Sequence, residues 1–268
     1  VFIAWHPSGL IDPMLMVATL PGKMSLIAKH TLFKVPVLGT VMRASGALPI
    51  MRSSDVKEDG IDSKKHNENQ LSSVAEAVAS GGKLIIFPEG TTHSESDVKS
   101  VRTGTARIME MAIERCENEG LPAPSLVPVG LHYSEAHTFR ERAAVIVERP
   151  MELPPLPERS DDAEADETKR RTWVKEVTLD IENELKRASH ATSSWQDRHL
   201  IWRARSIVHA ERSRAGEDGI SKPTYAESVL GARRLRAGWE YLAKHDSERT
   251  TEIETRATAH FENLDQLG

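Results

Sequence analysis

The sequence predicts an α/β fold: a central mixed β-sheet flanked by helices, followed by a mainly helical C-terminal region. Three observations carry that expectation. Short apolar runs alternate with helix-period patterns through the first part of the chain, as βα units require. Charge then becomes denser, with 34 charged residues in 1–155 against 41 in 156–268. Between the two lies ELPPLPERSDDAEADE, a proline cluster running into acidic residues, which reads as an exposed connection. The expected organisation is an α/β domain over residues 1–155, truncated at its N-terminus, and a charged, mostly helical region over 156–268.

The elements follow in order. Strands are predicted at Val1–Ala4, Met24–Ala28, Ala47–Met51, Lys83–Phe87, Leu126–Val129 and Ala143–Val147, each a short apolar run bounded by polar or turn residues. Helices are predicted over Asp12–Leu20, Asn67–Ser80 and Thr103–Asn118. TLFKVPVLGTVMRASG suggests a short helix against the sheet, and RSSDVKEDGIDSKKHNE, polar and aperiodic, reads as a mobile loop. In TWVKEVTLDIENELKRA, Val174, Val177, Ile181 and Leu185 recur at three- and four-residue steps and predict an amphipathic helix. Further helices are expected at Trp195–Arg214 and Tyr225–Lys244.

Composition bounds the function. The 268 residues can bury a sizeable core. A formal charge of −5 and a pI near 6.2 give no bulk-charge signal for nucleic acid. The single cysteine, Cys116, excludes an internal disulfide framework and is read as a semi-buried small residue. No apolar run reaches the roughly 18–20 residues of a membrane span. The chain opens in VFIAW without an initial methionine, so it is expected to be an N-terminally truncated piece.

Four places combine a strand end with reactive side chains. In AWHPSGLIDPML, His6 stands just past a strand, where open α/β sheets place ligands, and Asp12 follows six residues on. A neutral imidazole, with an ordinary pKa of about 6.5, can take a proton from a hydroxyl while a nearby carboxylate holds the ring. The same residues also suit a turn in which Asp12 caps a helix begun by Pro13. In LIIFPEGTTHSESDVKSVRTG, Glu89 offers acceptors to a polyol, and the backbone around Gly90, Thr91 and Thr92 offers amides to an anion. Arg102 precedes a helix start and suits a phosphate there, although a strand end, polar loop and capped helix are the plainer account of the stretch taken alone. Arg52 in GALPIMR has the planar fork that binds phosphate or a surface carboxylate. In LVPVGLHY, Val129–Leu131 suit an apolar channel wall, with His132 peripheral. His132 and His137 lack metal-ligand spacing, GGKLIIF is no P-loop, and GxSxG is absent.

Taken in order, HPSGLID, GALPIMR, FPEGTT and VPVG resemble the four blocks of the glycerolipid acyltransferase family, over roughly residues 1–150. The resemblance implies that His6 is the general base on a glycerol hydroxyl and that Asp12 orients it. It implies that Arg52 binds acceptor phosphate, that Glu89, Gly90 and Thr91 lie at the acceptor, that Arg102 is the downstream basic residue, and that Pro128 is the fourth-block proline. The usual four residues between histidine and aspartate are five here, a departure that Gly9 can absorb in the turn. That longer spacer, the proline after Asp12, KHTLFKVPVLGTVMRASGALPIMR and PVGLHYSEAHTFRERAAVIVERPMEL are similar to the fungal-type glycerol-3-phosphate/dihydroxyacetone-phosphate acyltransferases.

The resemblance therefore implies acyl transfer from acyl-CoA or acyl-carrier protein to the sn-1 hydroxyl of glycerol 3-phosphate or dihydroxyacetone phosphate. Alternatives are a 1-acylglycerol-3-phosphate acyltransferase and a non-catalytic membrane-associated scaffold. No metal or cofactor beyond the acyl donor is implied, and nucleic acid is not an expected partner. The expected location is the cytoplasmic face of a membrane, held peripherally or by a segment preceding residue 1.

Overall fold

The computed structural model describes residues 1–36, 39–40, 47–50, 63–134, 142–214 and 223–266. Six strands, β1 (Phe2–Ala4), β2 (Met24–Lys29), β3 (Leu48–Ile50), β4 (Lys83–Ile86), β5 (Val127–Tyr133) and β6 (Ala143–Val147), form one sheet in the order β3-β2-β4-β1-β5-β6. The first five are parallel. The Glu148 N–H donates to Pro128 O and the Met151 N–H to Leu126 O, so β6 returns antiparallel to β5. The sheet is thus mixed, as the sequence predicts.

Helices flank it: α1 (Ile11–Thr19), α2 (Ser63–Ala79), α3 (Gly104–Glu119) and α4 (Ala163–Ser189). Each packed helix shows the spacing that buries one stripe. In α2 the stripe is Leu71, Val74, Ala75 and Val78; in α3 it is Ala106, Met109, Ile113 and Cys116. In α4 the predicted Val174, Val177, Ile181 and Leu185 are all buried, and the helix lies on β5. The Asp162 carboxylate accepts from the Glu164 and Ala165 N–H groups to start α4, and His190 ends it in the left-handed conformation at φ 56°.

Two compact units result, residues 1–141 with 145–191, and residues 142–144 with 192–268. The change in charge near residue 155 and the change in packing at 191 fall at different places. The reason is α4, whose solvent face is charged while its other face belongs to the sheet. The second unit is helical: α5 (Trp195–Arg214), α6 (Tyr225–His245) and α7 (Ser247–Gln266). Within it Trp202 stacks on Tyr225, and the Arg203 guanidinium bridges both Asp265 oxygens at 2.9 Å while lying over the Phe261 ring.

Local expectations also change. Helix α2 begins at Ser63, so the end of the polar segment expected to be a loop is helical, and its residues 52–62 lie outside the described ones. A 3-10 helix, His30–Lys34, follows β2 directly; 37–38 and 41–46 of that stretch are likewise outside. Helix α7 was not anticipated, because its sequence is polar and only Thr250 and Phe261 are buried.

Candidate active site

The strand order puts β1 between β4 and β5, all parallel, so their C-terminal ends share one edge of the sheet. His6 follows β1, Phe87 and Glu89 follow β4, and Tyr133 ends β5. Chain connections diverge here, β1 leading toward β2 and β4 toward β5, which is where open α/β sheets form their crevices.

His6 and Asp12 meet. His6 Nδ1 is 2.7 Å from Asp12 Oδ2, which also accepts the Ser8 N–H at 2.8 Å. Gly9 at φ +63° lets the five-residue spacer turn back on itself, so the extra residue does not separate the pair. Asp12 does not cap α1. The helix starts at Ile11 with Leu10 before it, and Asp12, in the first turn, points inward and is fully buried. Its other oxygen, Oδ1, accepts from the Tyr133 hydroxyl at 2.6 Å.

Those partners fix the tautomer. A carboxylate oxygen only accepts, so Nδ1 carries the proton and Nε2 presents a lone pair. Among the described residues nothing occupies Nε2. The ring stacks on Phe87, with centroids 4.2 Å apart and planes 20° apart, and its side chain keeps 19% exposure. An oriented imidazole with a free basic nitrogen at an open edge is what proton abstraction from a bound hydroxyl needs.

Tyr133 escaped the sequence reading, which took β5 as an apolar wall with a peripheral His132. Val129 and Leu131 are core residues without exposure, and His132 is buried, its ring edge-on to His190 at 4.9 Å. Only the adjacency of β1 and β5 brings Tyr133 to a residue 121 positions away. Burial, then the bond to Asp12, pushes the Tyr133 hydroxyl far above the ordinary phenol range, so it stays a donor at any working pH. Tyr133→Phe should therefore strand Oδ1 and cost about 1.5–3 kcal/mol in urea unfolding, the range for a hydrogen bond to a charged group. An unchanged midpoint would contradict that bond.

Glu89 is buried among donors of its own chain. It is 2% exposed, and its oxygens accept from the His6 N–H at 2.9 Å, the Lys99 N–H at 2.8 Å and the His93 ring at 2.7 Å. The wall, not the mouth of the site, is its environment. Gly90 at φ +67° turns the chain there, and a side chain on it would meet Arg102, 3.1 Å away at Nε. Arg102 is exposed and, among the described residues, has no carboxylate partner. Thr91, half-buried, bonds weakly to the Thr92 carbonyl at 3.4 Å. Pro128 is buried within β5. Arg52 lies outside the described residues.

Two other features are separate from this edge. Cys116 is buried in α3 with its thiol toward the Ala79 carbonyl. A groove of about 850 Å³ lined by residues of α2, α3 and α4 contains none of the four-block residues His6, Asp12, Glu89 or Gly90. Its arginines face carboxylates, Arg170 to Glu110 at 3.6 Å and Arg107 to Glu68 at 3.7 Å.

Residues 1–132, which carry β1 through most of β5, match the model of the acyltransferase family. That match covers just under half of the 268 residues and likens the segment to an acyltransferase domain. The solved 1-acyl-sn-glycerophosphate (LPA) acyltransferase, PlsC, from Thermotoga maritima is similar, at 19% identity over 69% of this chain and 65% of that one, with a TM-score of 0.41. The present chain thus spans 65% of the length of that protein. No curated protein matches. The match is at the level of the family, and neither comparison singles out the fungal-type subgroup suggested by the spacer.

Proposed function

We propose that the protein transfers a fatty acyl group from a thioester to a hydroxyl of a glycerol phosphate, with His6 as general base. The observation that carries this is the oriented His6–Asp12 pair, Nε2 open, inside the segment that matches the acyltransferase family. His6 Nε2 accepts the proton of the attacking hydroxyl. The oxygen adds to the thioester carbonyl, and collapse of the tetrahedral intermediate expels the thiolate, which takes the proton back from Nε2. Asp12 stabilises the transient imidazolium, and Tyr133 holds Asp12. No covalent acyl-enzyme is needed.

Arg102, exposed beside Gly90, suits the acceptor phosphate, as does Arg52 in the family's second block. The outer face of α1 speaks to the rest of the acceptor. Leu10, Ile11, Met14 and Val17 are 60%, 50%, 69% and 44% exposed, and the one charged residue of the helix, Asp12, points inward. Large apolar side chains left in the open beside a site suit a lipid. They favour 1-acylglycerol 3-phosphate as acceptor and peripheral seating on a membrane; among the described residues no helix is long and apolar enough to cross one. The five-residue spacer supports the second reading, with glycerol 3-phosphate or dihydroxyacetone phosphate as acceptor.

Offering each acceptor with a long-chain acyl-CoA separates them. The α1 face predicts the higher kcat/KM with 1-acylglycerol 3-phosphate. Preference for the unacylated acceptors would move the reading to the fungal-type reaction, use of acyl-carrier protein alone would change the donor, and inertness toward all would favour a non-catalytic scaffold.

A further inference from the structure

Both main-chain groups of His6 end on one short segment, residues 89–93. The His6 N–H donates to Glu89 Oε2 at 2.9 Å, and the His6 carbonyl accepts the His93 N–H at 3.2 Å. The two anchors are themselves tied, because His93 Nε2 lies 2.7 Å from Glu89 Oε1, with side chains 2% and 0% exposed. The turn at Gly90, closed by its N–H on Phe87 O, is what brings residue 93 back onto residue 89.

Chemistry sets the roles inside this knot. His93 Nδ1 accepts the Glu95 N–H at 3.3 Å, so the ring proton sits on Nε2 and is donated to the carboxylate. Glu89 then has three N–H donors, from His6, Lys99 and His93, which is what a buried carboxylate requires. The His93 ring also stands edge-on to Trp5, the residue before His6, with centroids 6.2 Å apart.

We propose that His93 is a positioning residue: through Glu89 it fixes the main chain of His6 and so aims Nε2 at the reacting hydroxyl. Neither His93 nor Glu89 touches substrate. The inference rests on His6 being the base and gives Glu89 and His93 the work of registering it. Displacements near 1 Å in such geometry lower rates by up to about 100-fold.

The test compares His93→Gln with His93→Asn in the full chain. Glutamine places an N–H donor where Nε2 stands, whereas asparagine is too short to reach Glu89. Expected for H93N is a kcat about 10- to 100-fold lower with acceptor and donor KM little changed, and for H93Q recovery of most of that loss. A second readout is independent of acyl transfer: the downfield proton of the His6 Nδ1–H···Asp12 bond, followed by NMR on histidine-labelled protein. It should shift or broaden in H93N and return in H93Q. Equal behaviour of the two folded variants, an unmoved resonance in H93N, or a rise confined to acceptor KM would overturn the proposal. A wild-type protein that shows the resonance but acylates no acceptor would instead remove the functional reading and leave the resonance to judge the positioning.

Discussion

His6→Ala should lower acyl-transfer turnover by about 10²–10⁴, the range for a positioned acid–base group. Stability should fall, though less than in Tyr133→Phe, because Asp12 Oδ2 loses the ring donor but keeps the Ser8 N–H. The ring is partly exposed and stacks on one face of Phe87 only, while the His6 main chain keeps its anchors at Glu89 and His93 whatever the side chain. The loss should fall on kcat, since the proton moves only as the transition state forms and ground-state binding does not use Nε2. Acceptor KM rising with kcat intact would instead make His6 a binding residue.

Asp12→Asn should be nearly as damaging, at about 10²–10⁴ in kcat, for two separable reasons. The carboxylate accepts three hydrogen bonds without exposure, from His6 and Ser8 on one oxygen and Tyr133 on the other. An amide has one acceptor oxygen and must aim its N–H₂ at a former donor. Turned toward His6, it forces the proton onto Nε2 and abolishes the base. Turned toward Tyr133, whose hydroxyl can rotate to accept, it preserves the tautomer but removes the negative charge that stabilises the imidazolium. Because both residues serve one proton transfer, the double variant H6A/D12N should be little slower than H6A alone. Multiplicative losses would mean that Asp12 acts independently of His6.

Much of this architecture could be read along the chain, and what could not has a common cause. Strands such as Lys83–Ile86 and the α4 stripe are local patterns, so they follow from two- and four-residue spacing. The His6–Asp12 pair is local as well, six residues apart and joined by one glycine turn. Tyr133 on Asp12 is a product of strand order, and Glu89 on the His6 N–H crosses 83 residues. Neither contact leaves a spacing in the sequence. The alternation of Val129, Leu131 and Tyr133 along β5 did hold a signal: a polar tip on the face of two core residues needs a buried partner. For Glu89, a carboxylate at the end of an apolar strand fits a pocket and a wall equally well until its donors are known. Helix α7 is illegible for a different reason, since so little of it is buried.

The most direct measurement is acceptor-dependent release of free thiol from a long-chain acyl-CoA by the purified chain, with the acylated product quantified in the same reaction. The account predicts equal amounts of thiol and acyl-glycerophosphate from the wild-type protein, and a loss of both by at least about 100-fold in H6A. A folded wild-type protein that released no thiol with 1-acylglycerol 3-phosphate, glycerol 3-phosphate or dihydroxyacetone phosphate, or an H6A protein that released it at the wild-type rate, would contradict it.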